Sequence, residues 1–304
     1  MIVVLTPNPA VDVTYCVAKQ QIGVTQRVLT VLRHPGGKGI NVSRILTSHG
    51  ADTLCVLPLA GETGRWISRE AQELGQSVRP VWIDGESRTT TTIVDDLHHP
   101  TMYGEPGPDA DAAQWRELTA VIEETLEGAD ALVISGSLPP GVPATMVGTW
   151  VSAARRAGVL SLVDVSGKAL LAAARAGADI CKPNREELQT ATGCGDVADA
   201  AAVLLEAGAG CVVVSAGHEG IEAYGLDGLA TSVSAVPEVT GNPTGAGDAA
   251  TAGLLLAWLD GQSLRECLTH AAAFGAAAVL RPVAGEVDDR ALARFLTDTP
   301  ITER

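Results

Sequence analysis

Aromatic residues make up only 3% of the 304-residue chain, so its interior has to be built from aliphatic side chains. Basic residues are also few: 21 Lys and Arg stand against 36 Asp and Glu, a formal net charge of −15. A chain that acidic repels nucleic acid and anionic lipid at long range, so neither a nucleic acid nor a membrane is an expected partner. Only four lysines occur, Lys19, Lys38, Lys168 and Lys182, and a lysine placed in a cleft would be there for a reason. The six cysteines include no CxxC pair, which argues against zinc and disulfide frameworks and for buried reduced thiols. Fully apolar runs such as 254–259 fall far short of the roughly 20 residues that span a bilayer. The opening MIVVLTPNPAVD lacks a basic leader, and Pro7 and Pro9 cut its apolar run, so it reads as a first β-strand rather than a signal peptide. The expectation is a soluble, cytoplasmic protein.

Hydrophobic residues reach 46%, enough for a sizeable core, with Ala, Val and Leu carrying it. From the middle of the chain onward, short apolar runs alternate with helical patterns. Strands are expected at 53–60, 131–135, 159–165, 179–182 and 211–215. Helices are expected at 42–48, 63–74, 143–157, 168–175, 185–192 and 196–207, then at 246–259, 264–280 and 288–295. Continuous apolar strands separated by helices predict an α/β fold with a mostly parallel sheet covered on both faces. Two stretches break this rhythm. The pair 13–17 and 27–33, and the β-branched, polar RTTTTIVDD at 88–96, read as strands with one wet face. They are expected to form a small lid sheet from two insertions, about 12–33 and 86–104, in a single domain spanning 1–304; ordinary edge strands are the alternative.

Five loops could carry chemistry. GNPTGAGD at 241–248 opens a long apolar helix. Glycines let consecutive N–H groups turn the same way, and a helix N-terminus adds unpaired donors and partial positive charge, so Gly245, Ala246 and Gly247 form a candidate anion hole for phosphate. Asp248 stands in the first turn, where an acid also serves simply to complement the helix dipole. Gly245, Gly247 and Ala250 satisfy a GxGxxA dinucleotide pattern too, with Glu266 further on. That fingerprint requires a preceding strand and a βαβ unit, and the Pro-rich approach and two following helices count against it. PGGKGIN at 35–41 is no Walker A loop, because Gly39 follows Lys38, yet Gly36 and Gly37 let a ligand approach, Lys38 could hold an anion and Asn41 a hydroxyl. SGSLPPG at 135–141 follows a strand end, where α/β sheets bind ligands, though a Pro-stiffened turn explains it as well. KPNREE at 182–187 offers Asn184 as N-cap and Glu187 as its capping-box partner, and the same residues could organise a hydrated Mg²⁺. SAGHEG at 215–220 is a glycine loop that could border a nucleotide through Ser215, Gly217 and Gly220. The His98-His99 pair has no partner at metal-ligand spacing.

Taken in order, TPNPAVD, PGGKGINVSRIL, SGSLPPGVP, DVSG (164–167), KPNREEL, VVVSAGHEG and NPTGAGDAATAG resemble the PfkB/ribokinase family of carbohydrate kinases over essentially the whole chain, most nearly its 1-phosphofructokinase and tagatose-6-phosphate kinase branch. The resemblance implies a ribokinase-like, doubly wound, mostly parallel sheet with helices on both faces and a small β-sheet lid, often a dimer contact. It implies ATP and Mg²⁺. By position it makes Asp248 the catalytic base; Gly245, Ala246 and Gly247 the anion hole; and Asp12, Gly36, Gly37, Lys38 and Asn41 sugar-binding residues. Arg27 and Arg88, in the lid strands, match positions that hold a substrate phosphate, and Ser137 one that closes that pocket. Lys182, Asn184, Ser215, Gly217 and Gly220 fall on the ATP side, with Glu187 organising the metal through water. Ala249 replaces the usual Ser after GAGD, and Thr25 and Met102 stand where some relatives have basic residues. The expected activity is transfer of the γ-phosphoryl of ATP to a phosphorylated ketohexose: fructose 1-phosphate, fructose 6-phosphate or tagatose 6-phosphate. The alternatives are a kinase of a neutral sugar or nucleoside, a non-catalytic sugar-sensing protein of the same fold and, from the GxGxxA match, a nicotinamide-dependent oxidoreductase.

Overall fold

Short Val-, Ile- and Leu-rich runs become strands and Ala/Leu-rich stretches become helices, in alternation. A computed structural model describes residues 1–95 and 100–298. The order is β1 (Ile2–Leu5), β2 (Ala10–Cys16), β3 (Thr30–Gly36), α1 (Lys38–Ser48), β4 (Thr53–Ala60), α2 (Gly61–Glu73), β5 (Val78–Ile83), β6 (Arg88–Val94), β7 (Thr101–Gly104) and α3 (Ala112–Thr125). There follow β8 (Ala131–Ser135), α4 (Thr145–Ala157), β9 (Leu160–Asp164), α5 (Lys168–Arg175), β10 (Ile180–Cys181), α6 (Arg185–Thr192), α7 (Val197–Ala207) and β11 (Cys211–Ser215). The last elements are β12 (Ile221–Gly225), β13 (Gly228–Val233), α8 (Ala246–Leu259), α9 (Leu264–Val279) and α10 (Asp289–Asp298).

Nine strands form the main sheet in the order β13-β12-β11-β10-β9-β8-β1-β4-β5. Every pair from β11 to β5 is parallel, and β12 and β13 add antiparallel at one edge. The inner strands β1 and β8 are buried along their whole length, which is why they read as unbroken apolar runs. One core packs α3, α4, α5 and α7 on one face of the sheet through residues such as Leu118, Trp150, Leu170 and Leu204. The other packs α1, α8, α9 and α10 through Ile45, Leu254, Phe274 and Leu292. Strand order reverses beside β1: β4 and β5 lie to one side, β8 to β11 to the other. A crevice therefore opens outside the carboxyl ends of β1 and β8, where ligands bind in open α/β sheets.

Only residues 6–9 separate β1 from β2, and there the chain leaves the main sheet for a four-stranded one ordered β3-β2-β6-β7. Asp12 pairs with His34 on one side and Thr90 on the other. Side chains alternate across a strand, so Asp12, Thr14, His34, Thr90 and Thr92 share one face. The opposite face sets Val11 and Val13 against Ile40, Leu57, Leu59 and Ile67. This small sheet is thus polar toward the crevice and apolar toward the body.

Several element boundaries differ from the sequence reading. The strand expected at 13–17 starts three residues earlier and ends one earlier, as β2, and the one expected at 27–33 lies three residues later, as β3. β3 is an edge strand, and an edge tolerates Pro35, whose missing N–H would break an interior ladder. Arg27 consequently lies in the exposed connection before β3, not in a strand. α1 starts at Lys38 rather than 42, with Gly39 inside the helix because a Cβ there would lie 2.3 Å from Thr6 Oγ1. The sequence reading contains no β5, β7, α3, β12 or β13; β5 and β13 are edge strands with weak apolar patterns, and β5 carries Pro80. His98, His99 and the last residue of the 88–96 stretch, Asp96, lie outside the described residues. No described helix is long and apolar enough to cross a membrane.

Candidate active site

α8 is apolar on nearly all sides and buried from Asp248 to Leu255, so it enters the body end-on with its N-terminus at the crevice. Gly245 caps it in the left-handed region (φ +85), where a Cβ would also strike the Ala284 Cβ at 2.7 Å, so only glycine fits. The Ala246 N–H is drawn back to the Pro243 carbonyl at 3.2 Å. Of the three residues expected to form the anion hole, Ala246 therefore has its donor occupied. The N–H groups of Gly247 and Asp248 have no partner among the described residues.

Asp248 is 6% exposed, and the Asn41 side-chain amide donates to its Oδ2 at 2.8 Å. Burial pushes its carboxyl up to about 7, and the nearby Asp164 adds to the rise; Lys38, the Asn41 bond and Lys182 hold it back. Dipole complementation alone would push the other way. Desolvation dominates, and it leaves a carboxylate that can accept a proton near neutral pH.

Asp164 ends β9 and is the hub of the charges beneath this site. Its Oδ1 accepts from Lys38 Nζ at 2.9 Å, and Lys182 Nζ lies 3.2 Å from its Oδ2. The Thr251 hydroxyl stands 3.0 Å from both that Oδ2 and the Gly247 carbonyl, tying the hub to the first turn of α8. Burial would raise the Asp164 carboxyl, but Lys182 and then Lys38 outweigh it and hold it at about 2. Lys38 also reaches Glu187 Oε1 at 3.2 Å. Burial disfavours its charge, yet Asp164, Glu187 and Asp248 together keep it firmly protonated. Sequence reasoning gave Asp164 no role of its own, although an acid at the carboxyl end of a parallel strand is a signal for one.

Asn184 and Glu187 form the expected capping box: the Glu187 N–H donates to Asn184 Oδ1 at 2.8 Å, and the Asn184 N–H to Glu187 Oε2 at 3.0 Å. Lys182 is buried in its pair with Asp164 rather than lying open toward a nucleotide. Ser215 ends β11 beside this turn, with its N–H on the Pro183 carbonyl. Gly217 begins a single 3₁₀ turn. Gly220 is explained by packing, since a Cβ there would sit 2.1 Å from the Val233 carbonyl.

The polar face of the small sheet closes the other side. Asp12, Thr14, His34, Thr90 and Thr92 line a cavity with Asn41, Asn242, Thr244 and residues 282–284. Burial pushes the Asp12 carboxyl up to about 6, against the pull of Arg88, the Gly37 N–H and the Thr90 hydroxyl. Gly36 has to be glycine, because a Cβ would fall 2.1 Å from Asp12 Cγ. Arg88 donates to the carbonyls of Asn8 (3.1 Å) and Glu105 (3.2 Å). The Asn8 amide nitrogen bonds the Pro106 carbonyl and stands 3.4 Å from Ser137 Oγ. The structure thus brings Asp12, Gly36, Gly37, Lys38, Asn41, Arg88, Ser137, Asp164, Glu187 and Asp248 around one crevice. Arg27 is exposed in the connection before β3. His34, Thr90, Thr92 and Asn242 join the cavity wall without having been singled out in the sequence; alternation along β2, β3 and β6 was the available signal.

The dinucleotide reading of the glycine loop fails on topology. Residues 234–245 separate it from β13, and α8 leads directly into α9 rather than into a βαβ unit. The pfkB family carbohydrate kinase model matches residues 6–290. The chain is 27% identical over 297 residues to a tagatose-6-phosphate kinase of Staphylococcus epidermidis, covering 95% of each. Its fold matches that of phosphofructokinase-2 from Escherichia coli solved with potassium (TM-score 0.90, 28% identity, 97% of each chain). It also matches the same enzyme solved with fructose-6-phosphate (TM-score 0.87, 28% identity, 98% of each chain). With the glycine-capped α8, the crevice at the strand reversal and the polar small sheet in place, this chain belongs to the pfkB family of carbohydrate kinases and is an ATP-dependent sugar phosphotransferase.

Proposed function

We propose that the protein transfers the γ-phosphoryl of ATP to a hydroxyl of a phosphorylated ketohexose, of the kind named by fructose 1-phosphate, fructose 6-phosphate or tagatose 6-phosphate. The observation that carries this reading is the Asn41–Asp248 pair. Asn41 lines the cavity under the small sheet, and Asp248, directly behind it, stands in the first turn of the helix whose N–H groups would take the phosphate. The relatives with phosphosugar names and the fructose-6-phosphate complex support the same substrate class.

In this reading the sugar lies against Asp12, Thr90 and Asn41. Its reacting hydroxyl displaces the Asn41 amide from Asp248 and gives its proton to that carboxylate. General-base help of this kind is typically worth about 10²–10⁴-fold. The open N–H groups of Gly247 and Asp248 meet the γ-phosphate oxygens, each contributing on the order of 3 kcal/mol to the transition state. Lys38, held between Asp164 and Glu187, sits where the two substrates would meet and neutralises charge as the loose transition state forms. Mg²⁺ takes one or two carboxylates together with phosphate and water oxygens. Glu187 is partly exposed, and its two oxygens already serve Lys38 and the Asn184 N–H, so the residues fit a hydrated ion held through water. When bound, that ion would neutralise phosphate charge.

Arg88 would hold the substrate's own phosphate. Its guanidinium is already engaged by two carbonyls and stands beside Asp12, which favours a neutral sugar or nucleoside as the second reading. ADP release measured over fructose 1-phosphate, fructose 6-phosphate, tagatose 6-phosphate, fructose and ribose separates the two. Turnover confined to the neutral substrates would overturn the first. We also infer a homodimer through the small sheet, because Ile22, Val24, Leu29, Val31, Met102 and Tyr103 are exposed in β3, in β7 and in the loop before β3.

A further inference from the structure

Glu286 is shared by two guanidinium groups. Arg44 of α1 donates to its Oε1, and Arg281 donates to its Oε2 through Nε at 3.1 Å and Nη2 at 2.7 Å. Arg44 is largely buried, and its Nη1 has no partner among the described residues, so the Glu286 contact is the one that compensates its charge. This is more than a surface pair needs. What Glu286 anchors is the segment 282–286, and that segment touches the transfer site at two points.

At the first, Ala284 sits so close to Gly245 that a Cβ on Gly245 would meet its Cα at 2.9 Å. At the second, Gly285 lies against Asn41: a Cβ on Gly285 would fall 3.1 Å from Asn41 Oδ1 and 3.2 Å from Arg44 Cδ. The segment is also stitched to the phosphate loop, because Asn242 donates to the Pro282 carbonyl at 3.0 Å and takes the Thr244 N–H on its Oδ1 at 3.1 Å. One short turn therefore backs both the cap of α8 and the residue that holds Asp248.

We propose that Arg44, Glu286 and Arg281 form a positioning clamp that sets the Gly245–Asp248 turn and Asn41 relative to each other. None of the three lines the cavity under the small sheet; they act through the 282–286 segment. The inference rests on the phosphoryl-transfer reading above. A hydroxyl, its base and an anion hole must be aligned together, and misplacement by about 1 Å can cost up to roughly 100-fold in rate. A clamp that fails should therefore cost turnover out of proportion to stability.

The test uses the full chain and two variants, Glu286→Gln and Arg44→Lys. Glu286→Gln keeps the shape and removes the charge; Arg44→Lys keeps the charge and removes the planar fork. For Glu286→Gln we expect kcat to fall on the order of 10-fold or more, with KM for both substrates within about 3-fold. Arg44→Lys, which still pairs with Glu286, should show a smaller loss of kcat. Amide exchange of residues 242–248 should quicken in Glu286→Gln while the central strands stay protected. If kcat per folded molecule is unchanged while the melting temperature drops, the clamp is merely structural and the proposal is overturned. Unchanged exchange at 242–248 overturns it as well. Should Glu286→Gln fail to fold, both readouts pass to Arg44→Lys, which should then show a smaller loss of the same kind. Wild-type inactivity on every sugar phosphate would defeat the functional reading and leave the exchange result to decide the clamp.

Discussion

The Asn41 side-chain amide donates to the Asp248 carboxylate at 2.8 Å, joining the first turn of α1 to the first turn of α8 across 207 residues of chain. The bond stabilises the ionised form of a carboxyl that burial would otherwise keep protonated. A reacting hydroxyl that takes Asn41's place would be positioned for proton transfer. Asp248→Asn should therefore lower kcat by about 10²–10⁴-fold while ATP affinity, measured calorimetrically, stays within error. Near-wild-type turnover in this variant would remove Asp248 from the chemistry.

The pH dependence follows from the same carboxyl. With its ionisation pushed up to about 7 in the free protein, kcat/KM for the sugar should rise with pH through that region and level off above it. Asn41→Ala, by removing a bond that favours the charged form, should move this limb to higher pH. Stability has the opposite sign. Asp248 holds its proton more tightly in the fold than in the unfolded chain, so its contribution declines as pH rises from about 4 toward about 7. Asp164, held at about 2, contributes stability above about 4 that is lost as pH falls toward 2. Asp248→Asn should thus melt higher than wild type at pH 8 but not at pH 4. Equal shifts at both pH values would contradict the assignment of the raised carboxyl.

The two lysines on Asp164 should separate by readout. Lys182 and Asp164 are both about 96–97% shielded from solvent, whereas Lys38 is 40% exposed. Removing one partner of a buried pair typically costs about 3–5 kcal/mol. Lys182→Met should show a loss toward the lower end in urea unfolding, because Lys38 still compensates Asp164. Lys38→Met should cost much less stability and yet lower kcat, since Lys38 alone reaches from Asp164 to Glu187. Unfolding curves that rank the two variants the other way would break this division of roles.

Much of this arrangement was legible in the sequence, and what was not has a physical cause. The inner strands β4, β8 and β11 are long apolar runs buried on both faces, and their ranges were read to the residue. The capping box at Asn184 and Glu187 was legible because helix caps are local chemistry. Arg27 was misplaced because β3 is an edge strand: Pro35 and Gly36 look like breakers until the edge position excuses them. Asp164 was passed over because its meaning lies in Lys38, Lys182 and Thr251, none of which is near it in sequence. Glu286 is a related case: Arg281 is close to it in sequence, but Arg44, the partner that ties it to α1, is not.

The small sheet offers a test in which the substitution adds only one methyl group. Gly36 faces Asp12 so closely that an added Cβ would lie 2.1 Å from Asp12 Cγ and 2.1 Å from Oδ2. Gly36→Ala must push the carboxylate out of its bonds with the Gly37 N–H and the Thr90 hydroxyl and away from Arg88. If Asp12 and Arg88 bind the sugar, KM for the sugar should rise on the order of 10-fold or more while KM for ATP barely moves. Arg88→Ala should raise KM for a phosphorylated sugar more than for fructose, because only the former carries the charge that the guanidinium would pair with. A uniform rise over both sugars would leave Arg88 as a brace for the Asn8 and Glu105 carbonyls and shift the substrate class to neutral sugars.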